Sequence, residues 1–97
     1  MIVEQAESTV EVDRIRDRLD RIDADLVEMI ARRAELGRAL GHAKRSAGLP
    51  MIDFSREAAV VRRAAVLARH RGLPEEDVRE IFWDLISVTR RVQLEEP

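Results

Sequence analysis

The 97-residue chain has no cysteine, which excludes disulfides, thiolate metal sites and cysteine nucleophiles. Its two histidines are too few for a histidine-rich metal site. His42 and His70 also lie far apart, with no acid-and-nucleophile company. Aromatic residues make up 3%, and Gly (4) and Pro (3) are few, which suits helices and disfavours a sheet. No apolar run approaches the roughly 20 residues that span a bilayer, so no membrane partner is expected. Neither sign of charge dominates: Lys+Arg 17 against Asp+Glu 19 gives a net charge of −2, whereas a dedicated nucleic-acid binder carries a basic excess. The opening Met1-Ile2-Val3-Glu4-Gln5-Ala6-Glu7 is acidic and lacks an apolar signal core, so the expected setting is the reducing cytoplasm. No glycine-rich phosphate loop and no metal-ligand spacing is present.

What is there is helical. At about 100–200 residues per domain the chain is one domain, read as a flexible tail over residues 1–11 and a single helical domain over 12–97. Apolar residues recur at Val12, Ile15, Leu19, Ile22, Leu26, Met29, Leu36 and Leu40, mostly three or four apart, in a run without a breaker to Ala47. Gly48 and Pro50 stop that helix. At about 1.5 Å per residue it reaches roughly 50 Å, longer than a globule of this size, so a partner chain is expected to cover its stripe. A second helix is expected from about Ser55 to Arg71, capped by Ser55 or Asp53 and stopped by Gly72. Its interior is small: Ala58, Ala59, Val60, Val61, Ala64, Ala65 and Ala68. A third opens at Leu73-Pro74-Glu75-Glu76-Asp77, where proline and acids suit a helix start. Its stripe is Val78, Ile81, Phe82, Leu85, Thr89, Val92 and Gln93, with Trp83 expected in the core or at a dimer seam. The fold class is all-α: one long helix and two shorter ones.

Several polar residues stand where apolar ones belong. With Ile22 at zero and 100° per residue, Arg33 falls at about 20° and Lys44 at about 40°, in the middle of the long helix's stripe. Burying an unpaired charge is costly, so each cation needs an anionic partner. An internal ion pair or snorkelling to the surface accounts for either one alone. The two lie about 16 Å apart along the axis, and long side chains converging from both ends can enclose a small molecule. Both readings stay open on the residues themselves. Arg16 sits beside the stripe, as a surface charge or as a group reaching across a dimer seam. Gln93 on the third stripe needs a hydrogen-bond partner. Asp53 and Glu57 suit the start of the second helix, but Arg56 in that first turn opposes the dipole.

The order Arg16, Leu19-Asp20-Arg21-Ile22-Asp23, Arg32-Arg33-Ala34-Glu35-Leu36, Gly41-His42-Ala43-Lys44, Asp53-Phe54-Ser55-Arg56-Glu57, Thr89 and Gln93 resembles the all-helical (AroQ-class) chorismate mutases over about residues 12–94. The resemblance implies a three-helix protomer intertwined as a homodimer, with two identical sites that each take residues from both chains. It implies a dianionic substrate, chorismate, and neither cofactor nor metal. Arg33 and the partner subunit's Arg16 would grip the two carboxylates, with Arg56 adding cationic charge. Lys44 and Gln93 would hydrogen-bond the ether oxygen. Glu57, with the loop backbone at Asp53, would hold the ring hydroxyl. Thr89 stands where the family often has serine and keeps a hydroxyl for a carboxylate. Lys44, Gln93 and Arg33 are then the catalytic candidates.

The implied reaction is the intramolecular rearrangement of chorismate to prephenate, in aromatic amino acid biosynthesis, by a stand-alone enzyme. Similar proteins rearrange 4-amino-4-deoxychorismate in antibiotic pathways, or cleave isochorismate to pyruvate and salicylate. Asp53, Arg56 and Glu57 favour a mutase over the lyase, while a ring amine near Glu57 stays open. A helical dimerisation module is the non-enzyme alternative, and it leaves Arg33, Lys44 and Gln93 on core stripes unexplained.

Overall fold

The structure, a computed structural model, describes residues 2–95, with side chains from residue 5 onward. Its elements are α1 (Ile2–Ala47), α2 (Phe54–His70) and α3 (Glu75–Gln93), with no strand among the described residues, so the fold is all-α. None of the described helices is long and apolar enough to cross a membrane.

The helix ends follow from local chemistry. Gly48 and Gly72 both take φ of 68°, a left-handed conformation that side chains resist. At the first, Gly48 N–H donates to Arg45 O (3.3 Å) and Leu49 N–H to Lys44 O (2.9 Å). At the second, Gly72 N–H donates to Arg69 O (3.1 Å) and Leu73 N–H to Ala68 O (2.9 Å). Both are Schellman closures, which satisfy carbonyls that a helix end otherwise leaves open. Asp53 caps α2, its carboxylate accepting from the Arg56 N–H at 3.0 Å. α2 therefore begins and ends one residue before the sequence reading. Pro74 is the N-cap of α3 rather than its first helical residue, and Glu75, Glu76 and Asp77 fill the first turn.

α1 departs most from expectation. Helix begins at Ile2, ten residues before Val12, and occupies the stretch read as a tail. That stretch has no apolar stripe, but it holds good helix formers and no glycine or proline, and extending a helix costs far less than nucleating one. Met1 of the expected tail, and Glu96 and Pro97 at the end of the expected domain, lie outside the described residues.

The chain divides into two units, 1–31 and 32–97. In the first, every described side chain is exposed, and Val12, Ile15, Leu19, Ile22, Leu26 and Met29 stand 43–54% open. In the second, α2 packs on α3. Val61, Ala64, Ala65 and Ala68, at i, i+3, i+4 and i+7, are buried, as are Ile86 and Val92 of α3. Small side chains on α2 let the two backbones come close. One expectation for the α3 stripe is corrected. Ile81 is 55% exposed while Ile86, left off the stripe, is buried, so the buried arc is centred closer to Ile86. Trp83 is 45% exposed in the single chain, which leaves the dimer seam of its two expected places.

The end of α1 meets α3 through glycine. A Cβ on Gly37 would lie 2.9 Å from Val92 Cγ2, and one on Gly41 would lie 2.6 Å from the Gln93 carbonyl oxygen and 2.9 Å from its Cα. Gly41 thus allows α1 to pass against the backbone that carries Gln93. Arg45 ties the same segment down, donating to Gln93 O (2.9 Å) and Glu95 O (3.3 Å), while Arg38 pairs with the Glu95 carboxylate at 2.8 Å. Gly41→Ala should lower stability by about 1–3 kcal/mol, despite alanine's better helix propensity, because the clash is with backbone. Thermal denaturation of the variant checks this; an equal or higher Tm contradicts the close approach.

Candidate active site

Seven of the eight site residues expected from the sequence lie in the second unit, on three elements. α1 supplies Arg33 and Lys44, the start of α2 supplies Asp53, Arg56 and Glu57, and α3 supplies Thr89 and Gln93. Arg16 lies in the first unit and is exposed.

A cleft of about 240 Å³ is lined by Arg33, Arg56, Glu57 and Thr89 among apolar residues that include Leu36 and Ile86. Arg33 is half-buried. It donates to Thr89 Oγ1, and at 3.4 Å to the Leu85 carbonyl. Burial pulls its pKa below the ordinary arginine value, and the positive field of Arg56 adds to the effect. Among the described residues neither Arg33 nor Arg56 has a carboxylate partner. Two guanidiniums facing one small cleft repel each other, and an anion between them removes that cost.

Thr89 is already engaged within the chain. Its hydroxyl donates to the Leu85 carbonyl at 3.0 Å, so its single hydrogen is engaged while its lone pair receives Arg33. In this arrangement Thr89 orients Arg33, and donation to a ligand requires the hydroxyl to turn.

A second cleft, of about 380 Å³, is lined by Lys44, Asp53 and the intervening loop. Lys44 Nζ, half-buried, donates to Met51 O at 2.9 Å and to Gln93 Oε1 at 2.8 Å. An ammonium has three N–H donors, so one remains. Gln93 is buried, and with Oε1 turned to Lys44 its amide N–H₂ is the end left to donate. Lys44 and Gln93, on different helices, thus form a bonded pair in which each retains a donor. Lys44 also acts on the first cleft, since its charge helps to lower the pKa of Glu57.

Sequence reasoning passes over Arg90. Its guanidinium forks the Glu57 carboxylate, with Nε donating to Oε2 at 2.7 Å and Nη2 donating to Oε1. Its Cζ stands 5.4 Å from the Phe54 ring centroid, a cation–π stack that aligns the fork. In sequence, Arg90 and Arg91 are both cations in a last helical turn, which the dipole favours anyway, so nothing marks Arg90 out. Glu57 is mostly buried, with 14% of its side chain exposed. The hydrogen bonds from Arg90 hold its pKa below the ordinary glutamate value, with Arg90 and Lys44 charge assisting against burial and Asp53.

A carboxylate whose folded pKa is depressed stabilises the fold above its unfolded pKa, about 4.3, and loses that contribution as pH falls through the lower folded value. Arg90→Met should therefore melt below the parent at neutral pH, with the gap closing below about pH 4. Melting both proteins from pH 7 to pH 3 checks this; a constant gap contradicts the pairing.

Comparison with known proteins bears on the chain as a whole. The family model for chorismate mutase type II matches residues 15–94. The chain is 35% identical over 80 residues to a 3-dehydroquinate dehydratase of Pyrobaculum aerophilum, covering 82% of this chain and 23% of that protein. It is 33% identical over 63 residues to the intracellular chorismate mutase of Mycobacterium tuberculosis, covering 65% of this chain and 60% of that protein. It is 32% identical over 83 residues to the 4-amino-4-deoxychorismate mutase of Streptomyces venezuelae, covering 86% of this chain and 81% of that protein. The chain thus spans less than two thirds of the first two relatives. With the family model matching from Ile15 to Leu94, across all three helices, the chain belongs to the chorismate mutase type II family.

Proposed function

We propose that the protein is a chorismate mutase, an isomerase that converts chorismate to prephenate, acting as a homodimer in the cytoplasm. The observation that carries this reading is the pair Arg33 and Arg56, facing one cleft without a carboxylate on either. A dianion is the counter-charge that such a cleft lacks.

The reaction needs no nucleophile, metal or proton relay. One C–O bond breaks and one C–C bond forms in a cyclic electron shift within a single molecule, and no group leaves. The protein has two tasks. The first is to hold the chair-like conformer in which the two carbon ends meet, which Arg33, Arg56 and the apolar wall at Leu36 and Ile86 are suited to do. The second is to stabilise negative charge that grows on the ether oxygen as the C–O bond opens. The unused donors of Lys44 and Gln93 supply that stabilisation in this reading, with Glu57 and the backbone at Asp53 taking the ring hydroxyl. Thr89 keeps Arg33 in line for one carboxylate, and the partner subunit's Arg16 takes the other.

The homodimer is supported by the apolar stripe of α1, whose eight members from Val12 to Leu40 are all exposed in the single chain. A second copy of the same helix offers a matching surface. The printed name of the mycobacterial relative, intracellular chorismate mutase, supports the setting.

Incubation with chorismate and identification of the product tests the function. Prephenate should form, and recovery of unchanged chorismate overturns the reading. Lys44→Ala should lower kcat by about 10²–10³ in a protein that remains folded, because the lost donor acts mainly in the transition state. Gln93→Glu places a carboxylate beside Lys44, where it stays ionised and cannot donate, so its activity should appear only as pH falls. Activity of Gln93→Glu at pH 8 equal to that at pH 5 defeats the assignment.

Sedimentation should give a dimer, and a folded 11.1 kDa monomer at micromolar concentration contradicts it. Mixing Arg16→Ala chains with Arg33→Ala chains should recover part of the activity, since a shared-site heterodimer has one intact site. No recovery despite subunit exchange counts against site sharing.

A further inference from the structure

The fork between Arg90 and Glu57 leaves the first cleft with an unusual charge balance. Its lining carries two guanidiniums, Arg33 and Arg56, and one carboxylate, Glu57. That carboxylate is already paired with Arg90 through two charge-assisted hydrogen bonds. Arg90 is not among the residues lining the cleft. With Glu57 neutralised by Arg90, the two lining cations have no counter-charge within the chain, and the proposed dimer adds the partner subunit's Arg16 to them. Two carboxylates do not outweigh this positive charge, so a further cation on the ligand is disfavoured. Each oxygen of Glu57 retains lone pairs beyond those used by Arg90, so the carboxylate can still accept from a hydroxyl. A protonated amine at that place is different. It would add a positive charge beside Arg90, with Lys44 also close enough to act on Glu57, and the nearby Asp53 has its carboxylate on the α2 cap. An aliphatic amine carries its proton at neutral pH, as lysine does.

We propose that Arg90 sets substrate choice in this site: by forking Glu57 it keeps the carboxylate as an acceptor for a neutral ring hydroxyl and disfavours a ring ammonium. Arg90 acts through Glu57, so it is a positioning and specificity residue, held in line by the Phe54 ring. This inference rests on the mutase reading and decides between two substrates within it. The relatives include both a chorismate mutase and a 4-amino-4-deoxychorismate mutase, so family membership alone leaves the choice open.

The test is the ratio of kcat/KM for chorismate to that for 4-amino-4-deoxychorismate. The parent protein should favour chorismate by at least about tenfold, the effect of one charged hydrogen-bond partner. Arg90→Leu and Arg90→Gln both remove the cation and should lower the ratio by about tenfold or more, freeing Glu57 to pair with the ammonium. Arg90→Gln keeps a donor toward Glu57, so it serves if Arg90→Leu fails to fold. Arg90→Lys keeps the charge and should retain most of the preference. A loss of packing alone would slow both substrates together and leave the ratio unmoved.

An unchanged ratio in folded Arg90→Gln, an equal drop in Arg90→Lys, or a parent protein that prefers the amine overturns the proposal. If the parent turns over neither substrate, the mutase reading itself fails and the inference goes with it. Turnover of chorismate with an unmoved ratio removes the inference alone.

Discussion

Unpaired positive charge in a small cleft is the constraint on which the rest depends. Arg33 projects from the inward side of α1, half-buried, toward Arg56 of α2. Thr89 and the Leu85 carbonyl satisfy some of its N–H groups but contribute no negative charge. Hydrogen bonds from neutral groups hold a guanidinium in place without cancelling its field. The cleft is therefore oriented and charged before a ligand arrives, which is the condition under which electrostatic stabilisation acts without reorganisation at the moment of reaction.

The scaffold serves that arrangement by bringing three helices very close. Glycines 37 and 41 remove the side chains that would hold α1 away from α3, and alanines on α2 do the same toward α3. Lys44 can then bond Gln93 across the helix pair, while Arg38 and Arg45 secure the segment that carries Gln93. The cost is a thin apolar core: Val61, Ile86, Val92 and three alanines are its buried members among the described residues. In the proposed homodimer, a second copy on the exposed α1 stripe would add apolar burial that so small a core lacks.

Much of this was legible in the sequence. The apolar periods, Gly48, Gly72 and the acids after Pro74 gave three helices, with α2 displaced by one residue. Arg33 and Lys44 stood out because cations on an apolar stripe need a partner, and Gln93 stood out as an amide on another. The start of α1 was not legible, because residues 2–11 are helical by propensity without a stripe. Nor was the fork on Glu57, since Arg90 looks like any cation in a last turn. The turned hydroxyl of Thr89 and the exposure of Ile81 depend on tertiary geometry that periodicity does not encode. Gly41 carried a usable signal: glycine inside a helix costs about 1 kcal/mol against alanine, which asks for a packing reason.

The central claim is that Arg33 and Arg56 await the charge of a dianion. The direct measurement is the rise in melting temperature on adding prephenate, compared with its uncharged dimethyl ester, for the parent protein and Arg33→Met. The account predicts a clear rise with prephenate in the parent, little or none with the ester, and loss of the rise in Arg33→Met, because only a ligand that binds the folded state through its charge shifts the equilibrium in this way. Equal rises with acid and ester, or a rise that survives in Arg33→Met, would contradict it.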